Sequence, residues 1–406
     1  MMEAPNRALG IRVVHVTPWV GRHSFGPGAV ALSLALAQAE RGLDATVWCA
    51  DDNADVAWAS RSSGLAPDAI RAFGNLGPRR LAFSPAMERA ATMRSASDIT
   101  VAHQHGIWSA TSRVVALLRE RLRIPTIIAA HGSLQPWVQR RSRLKKWAAA
   151  NAYEKRNLRD ASCLHACALP EVADYRDFGL KKPIAVIPNG ISESWLRSVG
   201  DGARFRKEHG LSDDRRVLLF LSRITPKKGL PVLLQAMSSH RSRLADWLLL
   251  IAGVDERGHQ AEVQGYVDDV GLGAQVRFVG PLFDQAKRDA FAAADLFVLP
   301  THSEGAPLAV LESLAVSVPV LTTKAAPWDE IEQRVCGWRV DATPEEVGRG
   351  LLEAVSRTSE ELRAMGRRGR EMVEESYLWS RPAKMTVQLY EWLRGVRERP
   401  DFVVVD

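Results

Sequence analysis

Short apolar runs and helical patterns alternate along this chain, and the alternation restarts once near its middle. The first series predicts strands at residues 11–16, 45–49, 99–103, 126–129, 162–166 and 184–187. The second series predicts strands at residues 217–221, 248–252, 276–279, 296–299 and 319–322. The segments between them space their apolar residues as helices do. This alternation predicts parallel sheets with helices on both faces, and two series predict two doubly wound α/β domains facing a central cleft.

The boundary between the two series is predicted just after the turn sequence Pro188-Asn-Gly190. Residues 1–190 then form the N-terminal domain and residues 191–381 the C-terminal domain, a division that suits a chain of 406 residues. A helical pattern over residues 382–396 follows the second series. We expect this helix to pack back on the N-terminal domain.

The charge of the chain favours an anionic partner. The formal net charge is +7, and the densest basic stretch, residues 139–146, is flanked by Trp137 and Trp147. This stretch fits a solvated helix face and contact with anionic lipid headgroups equally well. Basic residues elsewhere are not interleaved with stacking aromatics and no nucleic-acid module is recognisable, so we expect no nucleic-acid partner.

Three features of the sequence predict a cytoplasmic protein. The four cysteines are too few and too scattered for a disulfide framework. The N-terminus lacks the charged-then-apolar pattern of a signal peptide. No run of about 18 apolar residues is present.

Two glutamates flank the predicted start of one helix. Glu304 lies in the loop after the strand at residues 296–299, and Pro307 is predicted to open the helix that carries Glu312 about 7.5 Å further along. The free N–H groups of a helix start can bind an anion. Two carboxylates beside such a site could hold hydroxyl groups on both sides of a diphosphate. A surface glutamate and an ordinary helix glutamate are the alternative interpretation.

Two other loops that follow predicted strands have ligand-binding composition. Arg223 and Lys228 follow the strand at residues 217–221 and could clamp a diphosphate, or form an exposed basic turn. Gly26 and Gly28 follow the strand at residues 11–16 and would let the backbone approach a ligand closely. Their spacing does not form a dinucleotide-binding fingerprint, and a plain loop is an equally good interpretation.

Three histidines lie near predicted strand ends. His131 follows the strand at residues 126–129 and should face the cleft, although a structural role is an alternative. His103 and His105 are predicted at the end of another strand. They could chelate a metal, but two ligands without a nearby carboxylate make a weak site, and we predict no metal centre.

Taken together, these elements resemble the retaining glycosyltransferases of family 4, which have the two-domain GT-B fold built from Rossmann-like domains. The match extends over nearly the whole chain. The segment from Glu304 to Glu312 resembles the E-x7-E motif of that family, and the segment from Arg223 to Gly229 resembles its GR…KG motif. The PNG turn at residues 188–190 and the F-x-G-like sequence at residues 278–280 occupy the corresponding places.

The resemblance implies a division of labour among these residues. Arg223 and Lys228 would neutralise the diphosphate of a UDP- or GDP-sugar, Glu304 would contact the transferred sugar, Glu312 would hold the ribose hydroxyls, and His131 would lie beside the sugar. Further donor-binding positions carried over from the family are Val279, Gly305, Ala306, Leu308, Gly26 and Gly28. The two cations make a metal cofactor unnecessary. The family is thought to use front-face attack, in which the leaving phosphate assists deprotonation of the acceptor.

A narrower resemblance concerns the acceptor. The sequence from His131 to Trp137, together with residues 326–331 and 336–338, is similar to bacterial enzymes that build exopolysaccharide, O-antigen or capsule units. Those enzymes usually extend a polyprenyl-diphosphate-linked saccharide, which implies peripheral contact with the inner face of the cytoplasmic membrane. One departure from the common pattern is Ala306-Pro307 in place of Phe-Gly, which removes an N–H donor and bears on donor identity.

Other functions fit parts of the pattern. A sugar-nucleotide epimerase or an inverting transferase could use the same fold, and a non-catalytic basic binding protein could account for the charge. The paired glutamates and the Arg223–Lys228 segment favour the retaining transferase over all three.

Overall fold

The computed structural model describes residues 10–21, 26–95, 98–140, 143–198, 200–212 and 214–405, apart from the side chains of Arg143 and Lys145. The chain divides into two compact units. Unit 1 comprises residues 1–190 and 379–406, and unit 2 comprises residues 191–378. The return to unit 1 therefore begins at Trp379, three residues before the predicted position.

The strands are β1 (Arg12–Val16), β2 (Asp44–Cys49), β3 (Ile70–Ala72), β4 (Val101–His105), β5 (Thr126–Ala129), β6 (Cys163–Ala166), β7 (Ile184–Val186), β8 (Arg216–Leu221), β9 (Trp247–Ala252), β10 (Val276–Gly280), β11 (Leu296–Leu299), β12 (Val320–Thr323), β13 (Gly337–Val340) and β14 (Val403–Val404). All eleven predicted strands are present among them.

The helices are α1 (Pro27–Glu40), α2 (Asn53–Ser63), α3 (Pro85–Met93), α4 (Thr111–Leu122), α5 (Pro136–Arg140), α6 (Arg143–Ala149), α7 (Lys155–Asp160), α8 (Pro170–Asp177), α9 (Ser194–Arg197), α10 (Gly202–Glu208), α11 (Leu230–Ser239), α12 (His259–Asp269), α13 (Asp284–Ala292), α14 (Leu308–Ala315), α15 (Glu330–Gln333), α16 (Pro344–Val355), α17 (Ser359–Ser376) and α18 (Ser380–Leu393). A π-helical turn, Ala150–Glu154, joins α6 to α7. No helix in the described part of the chain is long and apolar enough to cross a membrane.

Unit 1 contains one sheet in the order β14-β7-β6-β5-β4-β1-β2-β3. Its strands are parallel except β14, which pairs antiparallel with β7. The chain runs outward in both directions from β1 and β4, which makes their junction the topological switch point. Helix α18 packs against α1 in this unit.

Strand β4 lies two residues further along the chain than predicted. The prediction stopped at His103 because polar residues follow, but Gln104 and His105 are buried in the strand. Their side chains are hydrogen-bonded to other buried groups, which removes the cost of placing them in the core. His103 and His105 therefore lie within a strand and not in a loop.

Unit 2 contains a parallel sheet in the order β10-β9-β8-β11-β12-β13. All six residues of β9 are buried, because a central parallel strand is covered by helices on both faces. The switch point lies between β8 and β11. The two units confirm the predicted pair of doubly wound α/β domains.

The segment at residues 140–159, between β5 and β6, does not form the one continuous α-helix that its helical pattern predicts. The structure has α6, the π-helical turn and α7 in this region, and residues 141–142 lie outside the described part of the chain. The turn ends at the buried Glu154, whose carboxylate accepts hydrogen bonds from the Trp108 backbone and the Ser112 hydroxyl. An extra residue in the turn changes the helical register, and apolar periodicity does not reveal it.

Candidate active site

The loops that follow β8 and β11 lie side by side at the switch point of unit 2. The backbone N–H of His302 donates to the carbonyl of Lys227 at 2.9 Å, and the Thr301 hydroxyl donates to the same oxygen at 3.1 Å. Gly229 has a φ of 74°, and a Cβ atom there would lie 1.9 Å from the carbonyl oxygen of Pro300. Only glycine therefore allows the two loops to approach this closely. Ligands of open parallel sheets bind at such a switch point.

Lys228 and Glu304 form a buried ion pair across these two loops. The Lys228 ammonium donates to Oε1 of Glu304, and the Thr301 hydroxyl lies 3.2 Å from the same oxygen. The two side chains are 11% and 9% exposed. Burial alone would raise the pKa of Glu304, but Lys228 and Lys227 lower that pKa below its ordinary value. The Glu304 carboxylate is therefore ionised at neutral pH.

Lys227 is a further cation at this site, and the sequence had indicated no role for it. Burial lowers the pKa of Lys227 to about 8, although Glu304 opposes this shift. Lys227 lies directly before Lys228 in the sequence, and this adjacency is the signal that could have revealed it. Lys227 adds positive charge next to the carboxylate of Glu304.

Arg223 lies in the loop two residues after the end of β8 and forms an ion pair with Glu256 at 2.6 Å. The side chains are 35% and 37% exposed, so this pair is open to solvent. A Cβ atom on Gly253 would lie 1.7 Å from the Ser222 carbonyl, so the loop with Glu256 packs tightly against that of Arg223. The guanidinium is held at the same edge of the sheet as Lys228.

Glu312 lies on α14 and contacts a different cation. The Lys287 ammonium of α13 lies 2.6 Å from Oε1 and 2.5 Å from Oε2 of Glu312. Pro307 is the N-cap of α14, with φ −69° and ψ 118°, so the helix begins at Leu308. The prediction that Pro307 opens the helix is therefore wrong by one residue, because its ψ is not helical.

Most of the remaining predicted donor-binding residues of unit 2 are adjacent to this site, but one is not. Gly305 and Ala306 connect Glu304 to the N-cap, and Leu308 is the first residue of α14. Val279 lies near the carboxyl end of β10, which is separated from β8 by β9. The structure brings Lys228 and Glu304 into contact and places Val279 two strands away.

The predicted glycines of unit 1 lie at the start of α1. Gly26 is the N-cap with a φ of 77°, and Gly28 is a buried helical residue. Residues 22–25, which precede them, lie outside the described part of the chain. Gly28 therefore lies in the first turn of α1, and Gly26 alone precedes the helix.

His131 follows β5 with a φ of 51° and is hydrogen-bonded through both ring nitrogens. Its Nε2 lies 3.1 Å from Nδ1 of His105, and its Nδ1 lies 3.3 Å from Sγ of Cys167. Glu171 holds this region together, because its carboxylate accepts from the backbone N–H of Gly132 at 2.6 Å and of Cys167 at 2.7 Å. Burial lowers the pKa of His131 to about 3, so the imidazole is neutral.

Two doubly wound units, one of which carries paired charges at its switch point, define an α/β protein with the GT-B fold. Comparison with protein families gives the assignment. Residues 201–372 match the model of glycosyl transferases group 1, and residues 25–190 match that of the glycosyl transferase 4-like domain. The chain belongs to this family of glycosyltransferases.

Individual proteins are similar to this chain in sequence or in fold. A GDP-mannose-dependent alpha-(1-6)-phosphatidylinositol monomannoside mannosyltransferase of Mycolicibacterium smegmatis is 30% identical over 54% of this chain and 59% of its own length. The sucrose-phosphate synthase of Thermosynechococcus elongatus has a TM-score of 0.76 at 20% identity and covers 95% of this chain and all of its own. Anabaena Alr3699/HepE, solved with UDP and glucose, has a TM-score of 0.73 at 18% identity and covers 95% of this chain and 99% of its own.

The structural similarities confirm the GT-B fold. The sequence alignments cover 33% to 59% of the lengths of the first four curated relatives, so this chain spans about half of the proteins it matches.

Proposed function

We propose that this chain is a retaining glycosyltransferase that moves a sugar from a UDP- or GDP-sugar to a lipid-linked saccharide. The observation that carries the proposal is the buried ion pair of Lys228 and Glu304 at the switch point of unit 2. The roles implied by family resemblance put Lys228 on the diphosphate and Glu304 on the transferred sugar. Their direct contact supports a site in which the two residues act on either side of the bond that the reaction must break.

The chemistry follows from the charges at this site. As the bond between the anomeric carbon and the phosphate oxygen breaks, negative charge develops on the departing diphosphate. Lys228, Lys227 and Arg223 supply three cations at one sheet edge to stabilise it. The acceptor oxygen bonds to the anomeric carbon from the same face, and its proton passes to the leaving phosphate. The enzyme then needs no base of its own on the opposite face.

Nucleotide recognition is proposed for Glu312, which would exchange its contact with Lys287 for the ribose hydroxyls. Val279 would line the base pocket, and the backbone from Gly305 to Leu308 would contact the phosphates. A relative uses GDP-mannose, and a protein of similar fold was solved with UDP and glucose. Uridine and guanosine sugar nucleotides are therefore both included in the binding test.

A panel of UDP- and GDP-sugars tests the proposal by thermal shift. Binding of a ligand at 100 times its Kd stabilises a protein by about 2.7 kcal/mol, which raises Tm by several degrees. We expect at least one sugar nucleotide to do this, and short DNA or RNA to have no effect at physiological salt. The proposal fails if nucleic acid stabilises the protein while no member of the panel does.

We propose that transfer needs no metal ion, because Arg223, Lys227 and Lys228 provide the positive charge that a divalent cation supplies in other phosphate sites. The expected result is that excess EDTA changes the transfer rate by less than about twofold. Added Mg²⁺ or Mn²⁺ serves as the reciprocal measurement. A rate that collapses in EDTA and recovers with either ion would contradict the proposal.

The acceptor is proposed to be presented at an anionic membrane surface on the inner face of the cytoplasmic membrane. Helix α6 exposes Leu144 and Trp147, which are 85% and 68% exposed and lie three residues apart on one helix face. Residues 143–146 of this helix belong to the predicted basic stretch, and Trp147 directly follows it. Exposed apolar side chains among basic residues are typical of helices that lie in a lipid interface. A lipid-linked saccharide of a surface-polysaccharide pathway fits such a location.

Replacing both Leu144 and Trp147 by Asn is expected to weaken binding to anionic phospholipid vesicles about tenfold or more, because about 25 cal/mol of hydrophobic free energy is lost per Å² of apolar surface. Cosedimentation with vesicles measures the effect. The matched control replaces Leu76 and Met93, which are 61% and 84% exposed but lie outside the basic stretch. Equal binding by the two double variants would remove the support for a membrane-facing α6.

A further inference from the structure

Unit 1 contains a hydrogen-bonded chain of four buried histidines and one partly buried histidine, which the proposed reaction does not explain. The five residues are His15 on β1, His103 and His105 on β4, His131 after β5 and His165 on β6. Burial lowers the pKa of His15 and His165 to about 4, and it lowers the pKa of His103 and His105 well below the ordinary value. Each ring is therefore neutral and carries one N–H and one lone pair.

The direction of the hydrogen bonds is fixed at one end by a carbonyl group. Nε2 of His165 lies 2.8 Å from the Ile187 carbonyl oxygen, which can only accept. His165 therefore carries its proton on Nε2, and its Nδ1 accepts from Nε2 of His103 at 3.1 Å. Nδ1 of His103 then has a lone pair and accepts from the Tyr390 hydroxyl at 2.8 Å.

The Gln38 amide connects the Tyr390 hydroxyl to His15 and so determines which atom donates in the hydrogen bond to His15. The Tyr390 hydroxyl has donated its proton, so it accepts from the Gln38 amide Nε2 at 3.1 Å. The same amide donates to Thr386 at 2.8 Å, whose own hydroxyl donates to the Ala383 carbonyl at 2.9 Å. The orientation of the Gln38 amide is thereby determined. Its Oε1 faces Nε2 of His15 at 2.8 Å and accepts from it.

The chain then continues to His131. Nδ1 of His15 accepts from Nε2 of His105 at 2.9 Å, and Nδ1 of His105 accepts from Nε2 of His131 at 3.1 Å. Nδ1 of His131 is left with a lone pair and lies 3.3 Å from the Cys167 sulfur, whose one proton can be donated to this nitrogen or to Oδ1 of Asn189. All five rings consequently carry their proton on Nε2, and every contact in the chain lies within unit 1.

We propose that Gln38 is a positioning residue that fixes the tautomer of His131 through His15 and His105. The inference rests on the proposed function and on the family resemblance that puts His131 beside the transferred sugar, and it specifies what the contact between them is. With the proton held on Nε2, the imidazole offers Nδ1 as an acceptor for a substrate hydroxyl.

Cys167 provides the means to expose that acceptor. Its Sγ lies 3.6 Å from Oδ1 of Asn189 as well as 3.3 Å from His131. The thiol proton can therefore move from His131 to Asn189 without losing a hydrogen bond when a stronger hydroxyl donor approaches Nδ1.

NMR of the wild-type protein tests the tautomers directly. Long-range ¹H–¹⁵N correlation distinguishes a protonated from an unprotonated ring nitrogen, and we expect Nε2–H on all five histidines at pH 7. A proton on Nδ1 of His15, His105 or His131 overturns the proposal, as does an imidazolium. Nitrogens of His15, His103 and His105 lie within 4.8 Å of one another, close enough to hold a metal ion. A joint shift of these three rings with one equivalent of Zn²⁺ would also overturn it.

Two substitutions of Gln38 test whether this residue determines the tautomer of His131. Gln38→Met and Gln38→Glu both remove the amide donor, but only Glu keeps an oxygen that accepts from His15. We expect His131 to keep Nε2–H in Gln38→Glu. In Gln38→Met we expect a population with Nδ1–H, because the branch from His15 to His131 can then reverse while Cys167 donates to Asn189. The same tautomer of His131 in both variants would contradict the proposal.

Kinetics separate this proposal from the proposed function. Gln38→Met is expected to lower kcat/KM about tenfold, as the loss of one hydrogen bond to the substrate would, with Gln38→Glu within about twofold of wild type. The Kd of the nucleoside diphosphate should be unchanged. Equal kcat/KM in the two variants overturns the positioning role while transfer itself stands. A wild-type protein without transferase activity overturns the proposed function, and the NMR spectra still report the tautomers.

Discussion

Replacing Lys228 by Met is expected to lower the rate of sugar transfer by about a hundredfold or more, the usual effect of removing one donor that stabilises developing negative charge. The substitution removes the cation that contacts Glu304 and leaves Lys227 and Arg223 in place. Single-turnover kinetics with a saturating sugar nucleotide measure the effect on the chemical step. A rate within about threefold of wild type would show that Lys228 does not act on the leaving group.

The control for this variant must separate catalysis from stability. Breaking a buried ion pair costs about 3 kcal/mol, because one charge stays in the interior without its partner. The double variant Lys228→Met/Glu304→Gln removes both charges at nearly constant volume, so we expect it to recover most of the lost stability in urea unfolding. Its transfer rate should stay as low as that of the single variant. If the transfer rate recovers together with the stability, Lys228 has only a structural role.

Replacing Glu312 by Gln is expected to weaken the binding of UDP or GDP by about tenfold to a hundredfold. A hydrogen bond to a charged acceptor contributes about 1.5–3 kcal/mol, and the substitution removes the charge while it keeps the shape. Isothermal titration calorimetry measures the Kd. The binding of inorganic pyrophosphate, which has no ribose, should be unaffected in the same variant.

Two comparisons serve as controls for the effect predicted for Glu312→Gln. Glu353→Gln changes a glutamate of unit 2 whose partner is the surface residue Arg349, and it should leave both affinities unchanged. If Glu312→Gln instead weakens pyrophosphate and UDP equally, the residue contributes to the phosphate site and not to the ribose site.

The backbone framework of unit 2 could be predicted from sequence because its strands are buried on both faces. The run at β9 is apolar throughout, and the loops of Arg223 and Glu304 follow directly from the ends of β8 and β11. The partners of these residues could not be predicted. Glu256 lies 33 residues from Arg223, and Lys287 lies 25 residues from Glu312, each on a different element. Only the order of strands in the sheet brings them together.

Unit 1 was harder to predict where polar residues fill its core. Apolar periodicity ended β4 at His103, although the strand continues through Gln104 and His105. A buried polar side chain is stable only when its partners are present, and the partners of His103 are Tyr390 and His165. Tyr390 lies 287 residues away along the chain, so no local pattern reveals the pairing.

The stereochemistry of the product tests the central claim most directly. The sugar nucleotide that stabilises the protein is incubated with a lipid-linked saccharide acceptor, and the anomeric proton of the product is observed by NMR. Front-face attack assisted by the leaving phosphate predicts that the anomeric configuration of the donor is kept in the product. A product with the inverted configuration would contradict the account.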